Sequence, residues 1–215
     1  MKIIDLTHKI APDMPVYPGT KPPVFTTEYR IEHAGFLEKS ISIYSHTGTH
    51  IDAPCHIINA ANSLDQFSVE HFYGNAFLLN YGPENNQYIE INHLEPHQDI
   101  IKNSDFLLVN TGWNRLWGTD RYFADYPVFS SEAALWLTKF NLKGIGSDTI
   151  SADQPDSKDF PIHKIFLKNN ILIVENLTNL EALPDIRFVF SCFPLKTEHA
   201  DGSPVRAVAI IHESI

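Results

Sequence analysis

Residues 46–56, His-Thr-Gly-Thr-His-Ile-Asp-Ala-Pro-Cys-His, put three imidazoles and a carboxylate into one short segment. Histidine accounts for 11 of the 215 residues, and it is the commonest metal ligand and proton carrier near neutral pH. On an extended chain, positions 46, 48, 50 and 52 point to one side. His46, His50 and Asp52 then converge, and Gly48 between them leaves the space an ion needs. His-x-x-x-His also fits a helix face. Here Gly48, the β-branched Thr47, Thr49 and Ile51, and the nearby Pro54 favour a strand. Residue frequencies give a His pair at this spacing with Asp two further on a chance of roughly 4%, and His56 lowers it to about 0.2%. Isolated strand histidines satisfied by backbone partners are therefore the poorer reading. Nitrogen and oxygen ligands without thiolate suit zinc or manganese. A divalent cation with an incomplete shell lowers the pKa of water to about 7 and polarises a carbonyl.

The elements that must position this segment follow from periodicity. Residues 3–6 read as a short strand, followed by a helix-free loop carrying Pro12, Pro15, Pro18, Pro22 and Pro23. Residues 38–52 alternate with period two and are expected as one strand. Further strands are expected at 76–81, 106–110, 144–146, 171–175, 188–193 and 205–212. Helices are expected at 68–72, 92–99 (capped by Asn92), 131–140 (capped by Ser130 or Ser131) and 161–168 (Pro161 in the first turn). Strands alternating with helices define an α/β protein with a mixed sheet, whose strand order periodicity leaves open. With no repeat or linker, residues 1–215 are expected to form one domain.

Composition excludes several classes. A net charge of −10 argues against nucleic acid as partner. The aliphatic run at 171–174 falls far short of the ~20 residues of a membrane span. The N-terminal residues meet acids and a proline before any apolar stretch, so a cytoplasmic location is expected. Cys55 and Cys192 are too few for a disulfide scaffold and are expected to be reduced.

Beyond the 46–56 block, the sequence resembles the cyclase family of metal-dependent hydrolases, which includes bacterial kynurenine formamidase and isatin hydrolase. The resemblance runs through residues 5–8, Pro15-Val16-Tyr17-Pro18-Gly19, Thr111-Gly112-Trp113, Gly146-Ser147-Asp148-Thr149, His163, residues 173–177 and residues 200–207. It implies a compact β/β/α, swivelling-type fold with parallel and antiparallel sheet, and a homo-oligomer, dimer or tetramer. It also implies His46, His50 and Asp52 as metal ligands, with His163 and Glu175 completing a second metal position and His56 as the acid/base residue. One or two ions per subunit stay open. His56 lies four residues past Asp52 beyond Pro54, close enough to share the site and displaced enough to stay off the metal. Tyr17 stands where the formamidases carry a tryptophan thought to pack on an aromatic substrate, and keeps a flat apolar face. Cys55 falls on the opposite parity from Asp52 and is left out of the site.

The implied activity is hydrolysis of a C–N amide bond in a small, aromatic substrate, an aryl formamide or cyclic amide. The alternatives are a metal-dependent cyclase or lyase working through an enolate, and a non-catalytic metal-binding module.

Overall fold

The computed structural model describes residues 1–82, 87–184 and 187–212. Its strands are β1 (Lys2–Asp5), β2 (Val24–Tyr29), β3 (Glu38–Ser42), β4 (His50–Asp52), β5 (Tyr73–Asn80), β6 (Tyr88–Ile89), β7 (Phe106–Asn110), β8 (Val128–Phe129), β9 (Gly144–Ser147), β10 (Leu172–Glu175), β11 (Phe188–Ser191), β12 (Gly202–Pro204) and β13 (Val208–Ile211). The α-helices are α1 (Ile31–Ala34), α2 (Ile91–Leu94), α3 (Gln98–Lys102), α4 (Ser131–Leu137) and α5 (Pro161–Lys168). Nine strands form one mixed sheet in the order β1-β13-β11-β5-β7-β9-β10-β4-β12. The run β5-β7-β9-β10 is parallel and the flanking pairs are antiparallel. The expected parallel and antiparallel parts are thus continuous.

The inner parallel strands β7, β9 and β10 are buried on both faces, which explains the nearly unbroken apolar sequences of β7 and β10. Alternate residues serve two cores. Phe106, Leu108, Leu172 and Val174 pack on one side with Ile4, Leu6 and Ile51. Leu107, Val109, Ile145 and Ile173 pack on the other, under Ala133, Ala134 and Leu137 of α4 and Ile162, Phe166 and Leu167 of α5. Ser130 caps α4, its Oγ accepting the Ala133 N–H at 3.1 Å. α5 matches the expected helix end to end.

Three expectations need correction. Residues 38–52 are not one strand. β3 pairs only with β2 in a separate two-stranded sheet, β4 joins the large sheet, and turns separate them. The break includes Gly48, whose φ of 66° is left-handed. The helix expected at 92–99 is instead α2, a 3-10 turn at Glu95–His97 and α3, with Pro96 interrupting the α-helical run. Its first cap is Glu90 rather than Asn92, and the Glu90 N–H donates to His93 Nδ1 at 3.0 Å. The segment at 68–72 forms only a 3-10 turn, Val69–Phe72. The hairpin partner β2 went unassigned in sequence, because its polar-apolar mixture follows a proline-rich loop.

Candidate metal centre

β4 lies between β10 and β12. Antiparallel pairing sets Glu175 opposite His50 and Gly202 opposite Asp52. The first turns of α5 bring His163 against these strands, so five sequence-predicted residues meet. His46 Nδ1 is 2.7 Å from Asp52 Oδ1, and His50 Nε2 is 3.2 Å from the same oxygen and 3.4 Å from Glu175 Oε2. His163 Nε2 is 3.3 Å from Glu175 Oε1 and 3.6 Å from Asp52 Oδ2. His46, His50 and Asp52 form one set able to hold an ion, Asp52, His163 and Glu175 form another sharing Asp52, and His46, His56 and Asp201 form a third, more exposed set at the cavity rim.

His46 reaches the cluster from the turn before β4, not from an extended strand. The reading of Gly48 also changes. A Cβ there would meet Met14 and Ile10 side chains at 3.2 and 3.5 Å, so the glycine serves the left-handed turn and not the space for an ion. Space beside the imidazoles comes from Gly202, where a Cβ would lie 2.5 Å from His46 Cε1.

The electrostatics fit a cation. Asp52 is buried, and its Oδ2 has no hydrogen-bond partner. An orphaned buried carboxylate oxygen is costly unless something positive sits beside it. Burial pushes the Asp52 carboxyl up, but His50 and His46 more than offset this and hold it well below the usual carboxylate range. Burial likewise opposes charge on His46, yet Asp52 and Asp201 raise it to about 9. His50 and His163 are raised for the same reason, by Asp52 with Glu175 and by Asp153, Asp52 and Glu175 respectively. Without a metal, ring protons supply the positive charge these carboxylates demand; a divalent cation replaces them.

Each imidazole is also backed from behind. His50 Nδ1 donates to the Gly48 carbonyl at 2.8 Å, and His163 Nδ1 donates to Asp153 Oδ2 at 2.6 Å. Asp153 further accepts the Ile162 and His163 backbone N–H groups. Asn176 Nδ2 donates to the same Gly48 carbonyl at 2.9 Å, and Tyr122 Oη donates to Asn176 Oδ1 at 2.7 Å. Such partners fix ring orientation and tautomer. Sequence reasoning missed Asp153, Asn176 and Tyr122, since no short-range spacing links them to the ligands they serve.

The cluster forms one wall of a cavity of about 430 Å³, which Tyr17, Tyr44, Ile150 and Phe160 also line. His56, at the end of the 3-10 turn Pro54–His56, lines it too, its ring centroid 3.9 Å from that of His46. Burial lowers His56 to about 4, so it is neutral at pH 7. Cys55 stays outside, its Sγ donating to the Ala200 carbonyl at 3.7 Å, and both cysteines are free. Arg206 grips Asp5 through both carboxylate oxygens at 2.9 and 2.6 Å, tying the return before β13 to β1.

A family model described as a putative cyclase matches residues 4–154. The chain belongs to the cyclase family. Within the curated relatives it is 33% identical to an uncharacterized protein of Methanocaldococcus jannaschii, over 98% of this chain and 100% of that one. It is 30% identical to a kynurenine formamidase of Bacillus thuringiensis over 95% of each chain. Among solved structures, isatin hydrolase A from Ralstonia solanacearum matches with a TM-score of 0.86 and 26% identity, covering 97% of this chain and 91% of that one. The structure of a potential metal-dependent hydrolase with cyclase activity matches with a TM-score of 0.82 and 27% identity, over 99% of each chain. No described helix is long and apolar enough to cross a membrane.

Proposed function

We propose that the protein is a metal-dependent hydrolase that cleaves the C–N amide bond of a small aromatic substrate, an aryl formamide or a cyclic amide. The observation that carries this is the buried Asp52, one oxygen without a hydrogen-bond partner, among His46, His50, His163 and Glu175, which line a cavity of about 430 Å³. His46, His50, Asp52, His163 and Glu175 hold the metal, zinc or manganese, as one or two ions with Asp52 shared. When bound, the metal polarises the substrate carbonyl and supplies activated water near neutral pH. The buried carboxylates keep the imidazoles turned toward the cation, and the backing acceptors prevent their rotation. His56, neutral and off the ligand set, takes a proton from the attacking water and returns it to the departing nitrogen. Tyr17 presents an aromatic wall beside the site, held by the turn in which its carbonyl accepts the Thr20 N–H at 3.0 Å.

The same reading takes residues 1–215 as one domain, supported by a sheet that pairs β1 near the start with β13 near the end. It takes the assembly as a homo-oligomer, dimer or tetramer. The β2–β3 hairpin supports this, since Val24, Tyr29, Ile31, Phe36, Leu37 and Ile41 are all exposed along and beside it, and a lone two-stranded hairpin is marginal in water. Free cysteines accord with a cytoplasmic location.

The test is turnover of N-formylkynurenine, isatin and formanilides by protein loaded with zinc or manganese, followed by product mass. Gain of one water supports hydrolysis. Loss of water or unchanged mass points to a cyclase or lyase. No reaction on any acyl substrate defeats the hydrolase reading.

A further inference from the structure

Three imidazoles turn one ring nitrogen toward the buried carboxylates, and each gives the other nitrogen to an acceptor behind it. For His50 and His163 those acceptors, the Gly48 carbonyl and Asp153, are buried. For His46 the acceptor is Asp201, whose Oδ2 lies 3.0 Å from Nε2 although its side chain is 48% exposed. A half-exposed aspartate is ordinarily a solvated rim group. This one is fixed on several sides. Its carbonyl accepts the Ala53 N–H at 2.9 Å, and its neighbour Gly202 pairs with Asp52. Ser45 Oγ donates to Oδ2 at 3.2 Å. Asp201 Oδ2 also lies 3.9 Å from His56 Nδ1, and the His46 and His56 rings contact each other beside it, their planes tilted by 34°.

We propose that Asp201 is a positioning residue that orients both histidines of the cavity rim. It accepts the His46 Nε2–H, which leaves Nδ1 directed at Asp52, and it holds the Nδ1–H side of His56, which leaves Nε2 free for proton transfer in the cavity. A carboxylate behind an imidazole selects its tautomer and raises the basicity of the opposite nitrogen. The 3.9 Å gap to His56 is longer than a hydrogen bond, and at that distance the carboxylate favours the proton on the facing Nδ1 electrostatically, with or without substrate. One residue then couples metal retention to proton transfer. His46 stands between Asp201 and Asp52, so Asp201 supports the ligand set from outside it. The catalytic half of this inference rests on the hydrolase reading; the half concerning His46 does not.

The experiment compares Asp201→Ala, Asp201→Asn and Asp201→Glu with the unaltered protein. Zinc competition titration, ring-nitrogen NMR of zinc-loaded, substrate-free protein and steady-state kinetics are read together. Asp201→Ala should keep the same zinc stoichiometry with ~10–100-fold weaker affinity. Its His56 should change from a single Nδ1–H tautomer to a mixture of both. At saturating zinc, kcat should fall at least ~10-fold with KM changed less than ~3-fold, the pattern of a group acting after substrate binds. Asp201→Glu should recover part of each effect and Asp201→Asn less. Ring-nitrogen shifts of His46 and His56 unchanged in Asp201→Ala would overturn the proposal. So would loss of a whole zinc equivalent, which would make Asp201 a ligand. If the unaltered protein hydrolyses nothing, the hydrolase reading fails, while zinc affinity and the NMR spectra still judge Asp201.

Discussion

The floor and the rim of the cavity use the same residue types under different constraints. On the floor, His50, Asp52, His163 and Glu175 are between 1% and 5% exposed and sit on strands or a helix packed into the sheet. At the rim, His46 and His56 are 22% and 30% exposed and sit on turns. The floor groups carry raised imidazoles and a depressed carboxylate because burial leaves them only one another. His56, with weaker opposing charges near it, is driven by burial the other way. Carboxylates that demand positive charge suit a cation, and they raise His46 at the rim as well. His56, neutral at pH 7, keeps a ring nitrogen able to accept a proton.

Asp52→Ala breaks the floor, since both candidate sets that reach the floor share that residue. Bound zinc or manganese should fall to background by elemental analysis, a larger loss than the ~10–100-fold typical of groups that only back a ligand. Activity should vanish with it. His56→Ala strikes the rim alone. It should retain metal and fold while kcat drops about 10²–10⁴-fold. Equal loss of metal in both variants would erase the division.

Asp153→Ala tests whether floor positions couple binding to stability. It removes the acceptor of the His163 ring and of two N–H groups at the start of α5. Metal affinity should weaken ~10–100-fold. The metal-free protein should lose roughly 3 kcal/mol, seen as a Tm about 9 °C lower. Tyr17→Ala belongs to the opposite wall. It should raise KM about 2–10-fold through lost ring packing, with metal content and kcat unchanged. The smallest effect is expected at His93, whose role is to accept the Glu90 N–H and pack on Tyr81. His93→Ala should cost about 1 kcal/mol or less in thermal unfolding and leave bound metal untouched.

Much of the fold was legible because its centre is parallel sheet. Doubly buried strands such as β7 must be apolar throughout, and α5 announces itself by Pro161 and a helical stripe. The region around residue 48 was not legible. A period-two pattern continues across 38–52, and nothing in it reports that the chain turns between two sheets. The clue was Gly48 itself, which in sequence reads equally as a left-handed turn residue and as an open space, and which the structure assigns to the turn. The hairpin was hidden for a related reason: its apolar side chains are exposed, so no buried face imposes a pattern on β2.

The donor set His46, His50, Asp52 and His56 was determined by the sequence alone, since short spacing keeps such groups near one another whether the chain between them is strand or turn. What only the tertiary structure decided is how distant groups complete it. The β4–β10 register places Glu175 opposite His50, the first turns of α5 deliver His163, and the pairing of β12 with β4 sets the preceding residue, Asp201, behind His46. Side-chain identity travels along the chain, but the acceptor behind His46 is Asp201, 155 positions away, and the Gly48 carbonyl behind His50 is braced by Asn176, 128 positions from it. Only folding brings these within hydrogen-bond reach.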